Sequence, residues 1–80
     1  MFNIEDRLVN CFETVFPNLS RDEISRASSS SVANWDSLAT VTLVSVIEEE
    51  FGVAIAPEDY EYFASFELIR EWLKDKTTDA

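Results

Sequence analysis

One glycine and two prolines interrupt a chain of 80 residues. Sandwiches and barrels turn tightly roughly every 8–12 residues, and they draw heavily on those two residue types to do it. A chain this poor in both is left with helices joined by a few loops, so we expect an all-α fold. The length suits one small domain, spanning residues 1–80 with a flexible tail from about residue 76. So short a chain buries a modest fraction of its surface. The material for a core is nonetheless present, since 46% of the residues are hydrophobic and six are Phe.

Apolar spacing places the helices. Ile4, Leu8, Phe12 and Val15 recur at helical intervals, and Val9, Cys11 and Phe16 widen the stripe. A first helix is expected from about Phe2 to Phe16, with Glu5 and Asp6 suited to its positive end and Pro17 and Asn18 ending it. A long connection follows, to about Trp35. Ser20-Arg21-Asp22-Glu23 has the form of a capping box, which puts a helical turn inside that connection. Ile24 and Val32 are candidate anchors. The run Ser28 to Ser31 reads as a solvated, flexible loop tip rather than a regulatory phosphosite. A second helix is expected from Asp36, its N-cap, to about Phe51, with Gly52 as the left-handed residue beyond its end. After an extended link from Val53 to Ala56, Pro57 suits the first position of a short third helix that carries Glu58 and Asp59 in its first turn. Tyr60 and Phe63 should pack inward. Ser65 can cap a fourth helix, about Phe66 to Lys74, with Phe66, Ile69, Trp72 and Leu73 on its apolar face. Lys74 and Lys76 favour its C-terminal end.

The second helix has two faces. Leu43, Val44, Ile47 and Phe51 form a core stripe. Leu38, Val41, Ser45, Glu48 and Glu49 cluster on roughly the opposite side, apolar near the start of the helix and acidic further along. Apolar positions ringed by acids suit a docking surface. Leu38 and Val41 equally suit packing against the long loop or the third helix, and the spacing alone leaves these two readings even.

Composition removes much chemistry. Sixteen acidic residues against six basic ones give a net charge of -10, so nucleic acids and anionic membranes are repelled. Basic patches on other proteins are the expected partners. No histidine is present, which excludes the Ser-His-Asp and Cys-His arrangements. Both lysines lie at the C-terminal end, past the expected helices, so a lysine-activated serine is disfavoured. The single Cys11 allows no internal disulfide and no cysteine zinc cluster. No glycine-rich phosphate loop occurs, and Glu48 to Asp59 lacks EF-hand spacing. No metal site and no enzyme activity are expected. No basic-then-apolar leader and no apolar run of about 18 residues appear. The expectation is a soluble cytoplasmic protein, and the strong charge favours a monomer.

Ser37 directly follows the cap Asp36. A phosphodiester there would meet unpaired N–H groups and the positive end of the helix dipole. Position alone also allows Ser37 to be an ordinary polar first-turn residue. The wider context is more specific. Asp36-Ser37-Leu38, then Val41, Leu43-Val44, Ile47, Glu48-Glu49-Glu50-Phe51 and Ile55, with the acidic third helix after them, resembles the acyl carrier protein family over about 40 residues. Length, acidity and helix order agree with the family across the whole chain.

The resemblance implies a small four-helix bundle, three main helices and one short one with a long first loop. It implies a 4′-phosphopantetheine arm on Ser37, transferred from coenzyme A by a magnesium-dependent phosphopantetheinyl transferase. Acyl groups would then ride as thioesters on the thiol of that arm, with Cys11 merely packing. Asp36, Leu38, Val41, Glu48 and Glu49 match positions that dock onto basic partner enzymes such as acyl ligases, acyltransferases and ketosynthases. Leu43 and Ile47 match the core that can shelter an acyl chain. The chain departs from the general fatty-acid pattern in having Ala39 and Thr42 where acids are usual, Ser45 where Met is usual, and Asn34-Trp35 before the Asp. This favours a specialised lipid, polyketide or polysaccharide-modification route. Alternatives are an aminoacyl or peptidyl carrier, against which stands the lack of Gly before the serine, an unmodified acidic interaction module, and, more remotely, a calcium-binding helical protein.

Overall fold

The computed structural model describes residues 3–77. Helix α1 spans Ile4–Val15. It starts at the first residue of the apolar stripe, later than the expected Phe2, because the Asn3 side chain takes the cap, accepting a hydrogen bond from the Asp6 N–H at 2.8 Å. It stops at Phe16, which leaves helical geometry while still donating to the Phe12 carbonyl at 2.7 Å.

The long connection contains a short helix, α2, at Arg21–Ser25. Its capping box is reciprocal: Glu23 N–H donates to the Ser20 hydroxyl at 3.2 Å, and Ser20 N–H donates to the Glu23 carboxylate at 2.8 Å. These bonds hold the Glu23 carboxyl below the usual glutamate range, the backbone N–H of Ser20 first among the causes. Ile24 is completely buried and pins the connection to the core. Val32 is half-buried against that core.

The serine run departs from a loose tip. Ser29, Ser30 and Ser31 are exposed, but the base of the run is tied down. Ser28 pairs in antiparallel fashion with Ser65, flanked by Ser29 N–H to Ala64 O at 2.8 Å and Phe66 N–H to Ala27 O at 3.0 Å. The hydroxyls also bond within the run, with Ser31 Oγ accepting from Ser28 N–H at 3.0 Å. Backbone groups that leave a helix need partners, and here the segment entering the last helix supplies them.

Helix α3 spans Ser37–Phe51 between the two expected caps. The Asp36 carboxylate accepts from Ala39 N–H at 2.9 Å. Gly52, at φ 66°, turns left-handed and donates to the Glu48 carbonyl. The short third element at Pro57–Tyr62 is a 3-10 helix with Pro57 in its opening turn. Beyond it Phe63 is buried, and Tyr60 packs partly inward. Helix α4 runs Phe66–Thr77, with the Ser65 hydroxyl accepting from Leu68 N–H at 3.1 Å at its start. It extends three residues beyond Lys74, so Lys74 and Lys76 belong to its last turn rather than lying past it. Of the tail expected to be flexible, the first residues are helical and those after Thr77 lie outside the described residues.

Helix α1 is the hub and packs against α2, α3 and α4. It runs antiparallel to α3. Arg7 reaches the Glu50 carboxylate at 2.9 Å and the Glu50 carbonyl at one end, and the rings of Phe12 and Phe16 meet Trp35 at the other. It is antiparallel to α4 as well, since Phe12 stacks edge-on with Phe66 at 5.3 Å while Glu5 pairs with Arg70. Leu8, Phe12, Leu43, Ile47, Ile69 and Leu73 are wholly buried along these seams. The fold is an all-α bundle of three long helices and a short one, with α2 inserted in the first loop, the arrangement that the resemblance implies.

Candidate functional site

Ser37 is the first residue of α3 and is exposed. Asp36 directs one carboxylate oxygen back to Ala39 N–H, and the Asp36 carbonyl accepts from Thr40 N–H at 3.0 Å. Among the described residues, nothing occupies the Ser37 hydroxyl or the backbone N–H groups of Ser37 and Leu38. An accessible hydroxyl therefore stands beside two free donors at the positive end of a 15-residue helix.

The residues around it divide by what they already hold. Leu38 is 74% exposed and Val41 46% exposed. Neither is covered by the long loop or by the 3-10 helix, which answers the question that spacing left even. Glu49 is exposed as well. Glu48 is only half-exposed, because its carboxylate accepts from Ile55 N–H at 2.8 Å and so secures the link after α3. Glu50 is engaged by Arg7. Of the five docking positions expected from sequence, Asp36, Leu38, Val41 and Glu49 share open surface along α3, while Glu48 also has a structural task.

The opposite face of α3 carries Leu43, Val44 and Ile47 into the core. Cys11, on α1, is 2% exposed. Burial first, and the nearby charge of Glu50 second, push its thiol up to about 11. No group of three or more His, Cys, Asp or Glu among the described residues is placed to hold a metal ion. No described helix is long and apolar enough to cross a membrane.

A family model described as "phosphopantetheine attachment site" matches residues 6–73. The chain belongs to the phosphopantetheine attachment site family. No solved structure matches it. Members of this family are carriers, and their cofactor is covalently attached 4′-phosphopantetheine. The site fits such a group. Its phosphate needs an accessible hydroxyl and benefits from unpaired N–H donors, and Ser37 and the opening turn of α3 provide both.

One feature beside Ser37 escaped sequence reasoning. Trp35 is 4% exposed. Its indole N–H donates to the Thr40 hydroxyl at 3.0 Å, and its ring packs on Phe12 at 5.4 Å and Phe16 at 5.5 Å. Part of the signal was available: Trp35 and Thr40 hold the two places that a hydrophobic staple joins across an N-cap, although here a hydrogen bond joins them.

Proposed function

We propose that this chain is one acyl carrier domain whose arm is attached at Ser37. The observation that carries this reading is the exposed, unbonded Ser37 hydroxyl at the head of α3, inside the region of the family match. In the loading reaction the serine oxygen attacks the pyrophosphate of coenzyme A. A new serine–phosphate bond forms, adenosine 3′,5′-bisphosphate leaves, and the serine proton passes to a base of the transferase. This chain contributes an accessible hydroxyl, backbone donors that stabilise the resulting phosphodiester, and an acidic apolar face for the transferase. The arm itself supplies a terminal thiol that bears the acyl group as a thioester.

Leu38 and Val41 provide a partner with apolar contact, and Asp36 and Glu49, with the free edge of Glu48, provide charge. Such a surface suits a basic ligase, acyltransferase or ketosynthase. Ala39 and Thr42 leave the face with fewer charges than a general fatty-acid carrier, and the Thr42 hydroxyl is turned to the Leu38 carbonyl at 3.0 Å. This supports service in a specialised lipid, polyketide or polysaccharide-modification route. The acyl rather than the aminoacyl form of the reading rests on the absence of Gly before Ser37. The charge, with no membrane-crossing helix described, favours a monomer in the cytoplasm.

Incubation with coenzyme A, magnesium and a phosphopantetheinyl transferase, followed by intact mass, tests the assignment. Wild type gains one phosphopantetheine and Ser37→Ala gains none. Labelling that persists in Ser37→Ala would place the arm elsewhere.

A further inference from the structure

We infer that Trp35 is a specificity-determining residue that keeps the acyl chain outside the bundle, so that the carrier displays short or polar acyl groups instead of sheltering long apolar ones. The inference rests on the carrier reading and concerns the interior directly beneath Ser37. An arm attached to Ser37 is rooted at the pole where α1 ends and α3 begins, so the interior under that pole is the part of the core nearest to it. Trp35 fills that pole. Its indole is 4% exposed, bonded through its N–H to Thr40 in the first turn of α3, and seated on Phe12 and Phe16 at the end of α1. Phe12 is in turn stacked on Phe66 at the start of α4. Four aromatic rings from α1, α4 and the segment before α3 thus occupy this end.

Close-packed interiors admit a guest only where something moves. Here the obstacle is held in three ways. The indole has a hydrogen-bond partner that is left unpaired if the ring swings out. Two edge or tilted ring contacts would be lost with it. The ring is also anchored two residues from the serine, so its displacement would disturb the Asp36 cap. The interior face of α3 beyond it, at Leu43 and Ile47, is completely buried. A long chain therefore gains little by entering and remains on the surface. Removal of the indole reverses this, because a dry apolar cavity lined by phenylalanines binds apolar guests.

The experiment loads acetyl and octanoyl arms onto Ser37 directly from the two acyl-coenzyme A thioesters, with intact mass confirming each product. Melting temperature is measured, and so is Trp35 emission in a Trp72→Phe background that leaves one indole. Acetyl and octanoyl forms of the wild-type chain are expected to melt within about 1 °C of each other, with the same Trp35 emission maximum. In Trp35→Ala the apo protein melts lower, and the octanoyl form recovers several degrees relative to the acetyl form. Trp35→Leu, a smaller truncation, gives the same ordering where the alanine variant does not fold. Stabilisation of the wild-type chain by octanoyl, a shift of Trp35 emission on octanoyl loading, or variants that gain nothing from octanoyl would each overturn the inference while leaving the carrier reading intact. Failure of Ser37 to take up any arm would instead overturn the carrier reading, and this inference with it.

Discussion

Two nucleophilic atoms in this chain receive opposite treatment. The Ser37 hydroxyl is exposed at the head of α3 with no partner among the described residues. The Cys11 thiol is 2% exposed and pushed from an ordinary 9.0 to about 11, by burial first and then by the charge of Glu50, with Arg7 partly opposing. At neutral pH Cys11 is therefore a thiol rather than a thiolate, and it does not compete with the thiol of an attached arm for acyl groups. The linkage has a definite sign. The folded value lies above the unfolded one, so the stabilisation is complete below pH 9 and is lost as pH rises from 9.0 towards about 11. Urea midpoints measured from pH 8 to pH 10.5 should fall more steeply for wild type than for Cys11→Ala. Parallel curves would show that Cys11 is not the group responsible. At pH 8 a thiol reagent should label the arm of the holo protein and reach Cys11 only after unfolding.

At the scale of the helices, the left-handed stop of α3 makes the simplest test. Gly52 has φ 66°, and a Cβ built there meets nothing within 4 Å. The cost of Gly52→Ala is thus purely conformational and should be about 1 kcal/mol by urea denaturation. Gly52→Asn should lose less, since Asn tolerates this region. An alanine variant as stable as wild type would mean that the stop does not depend on glycine. This element was legible beforehand because its signals are local: Asp36 before an apolar run, Gly52 after it, and period 3.6 between. The same holds for Asn3, which stands directly before the apolar stripe that opens at Ile4 but falls inside the helix expected from Phe2, and for the capping box of α2. Tertiary contacts were less legible. Nothing in a four-serine run announces that Ser28 will pair with Ser65, 37 positions away. Glu48 matched a docking position, yet Ile55 N–H claims its carboxylate. The exposure of Leu38 and Val41 required the whole bundle, because helical spacing assigns a face without saying what covers it. Pro57 marked the start of the third element, but nothing local to it announced a 3-10 helix, which lies between buried Ile55 and buried Phe63.

The molecule as a whole is a charged object of small size. Ten net negative charges sit on a body with a radius of gyration of 11.6 Å, close to the screening length of about 8 Å at physiological salt. Their distribution is uneven. Residues 27–69 contain eight acidic side chains and no basic one, and this stretch includes all of α3. The arginines lie outside it, on α1, α2 and α4 or at their ends; Arg21 pairs there with Asp6, while Arg7 reaches into the stretch to Glu50. Exposed pairs of this kind contribute little, so repulsion should prevail. Raising sodium chloride from a few millimolar to about 0.15 M should increase the melting temperature at fixed pH. A decrease would show that the arginine pairs outweigh the repulsion.

The antiparallel course of α1 against both α3 and α4 has a mechanical consequence. Arg7 with Glu50, and Glu5 with Arg70, fasten the start of α1 to the end of α3 and to the body of α4, so the N-terminal turn of α1 and the C-terminal turn of α4 gather at the pole away from Ser37. A tether fused at either end therefore holds the body by its heel. It leaves the pole that holds Ser37 open, and immobilisation through either terminus should preserve the loading proposed for that serine.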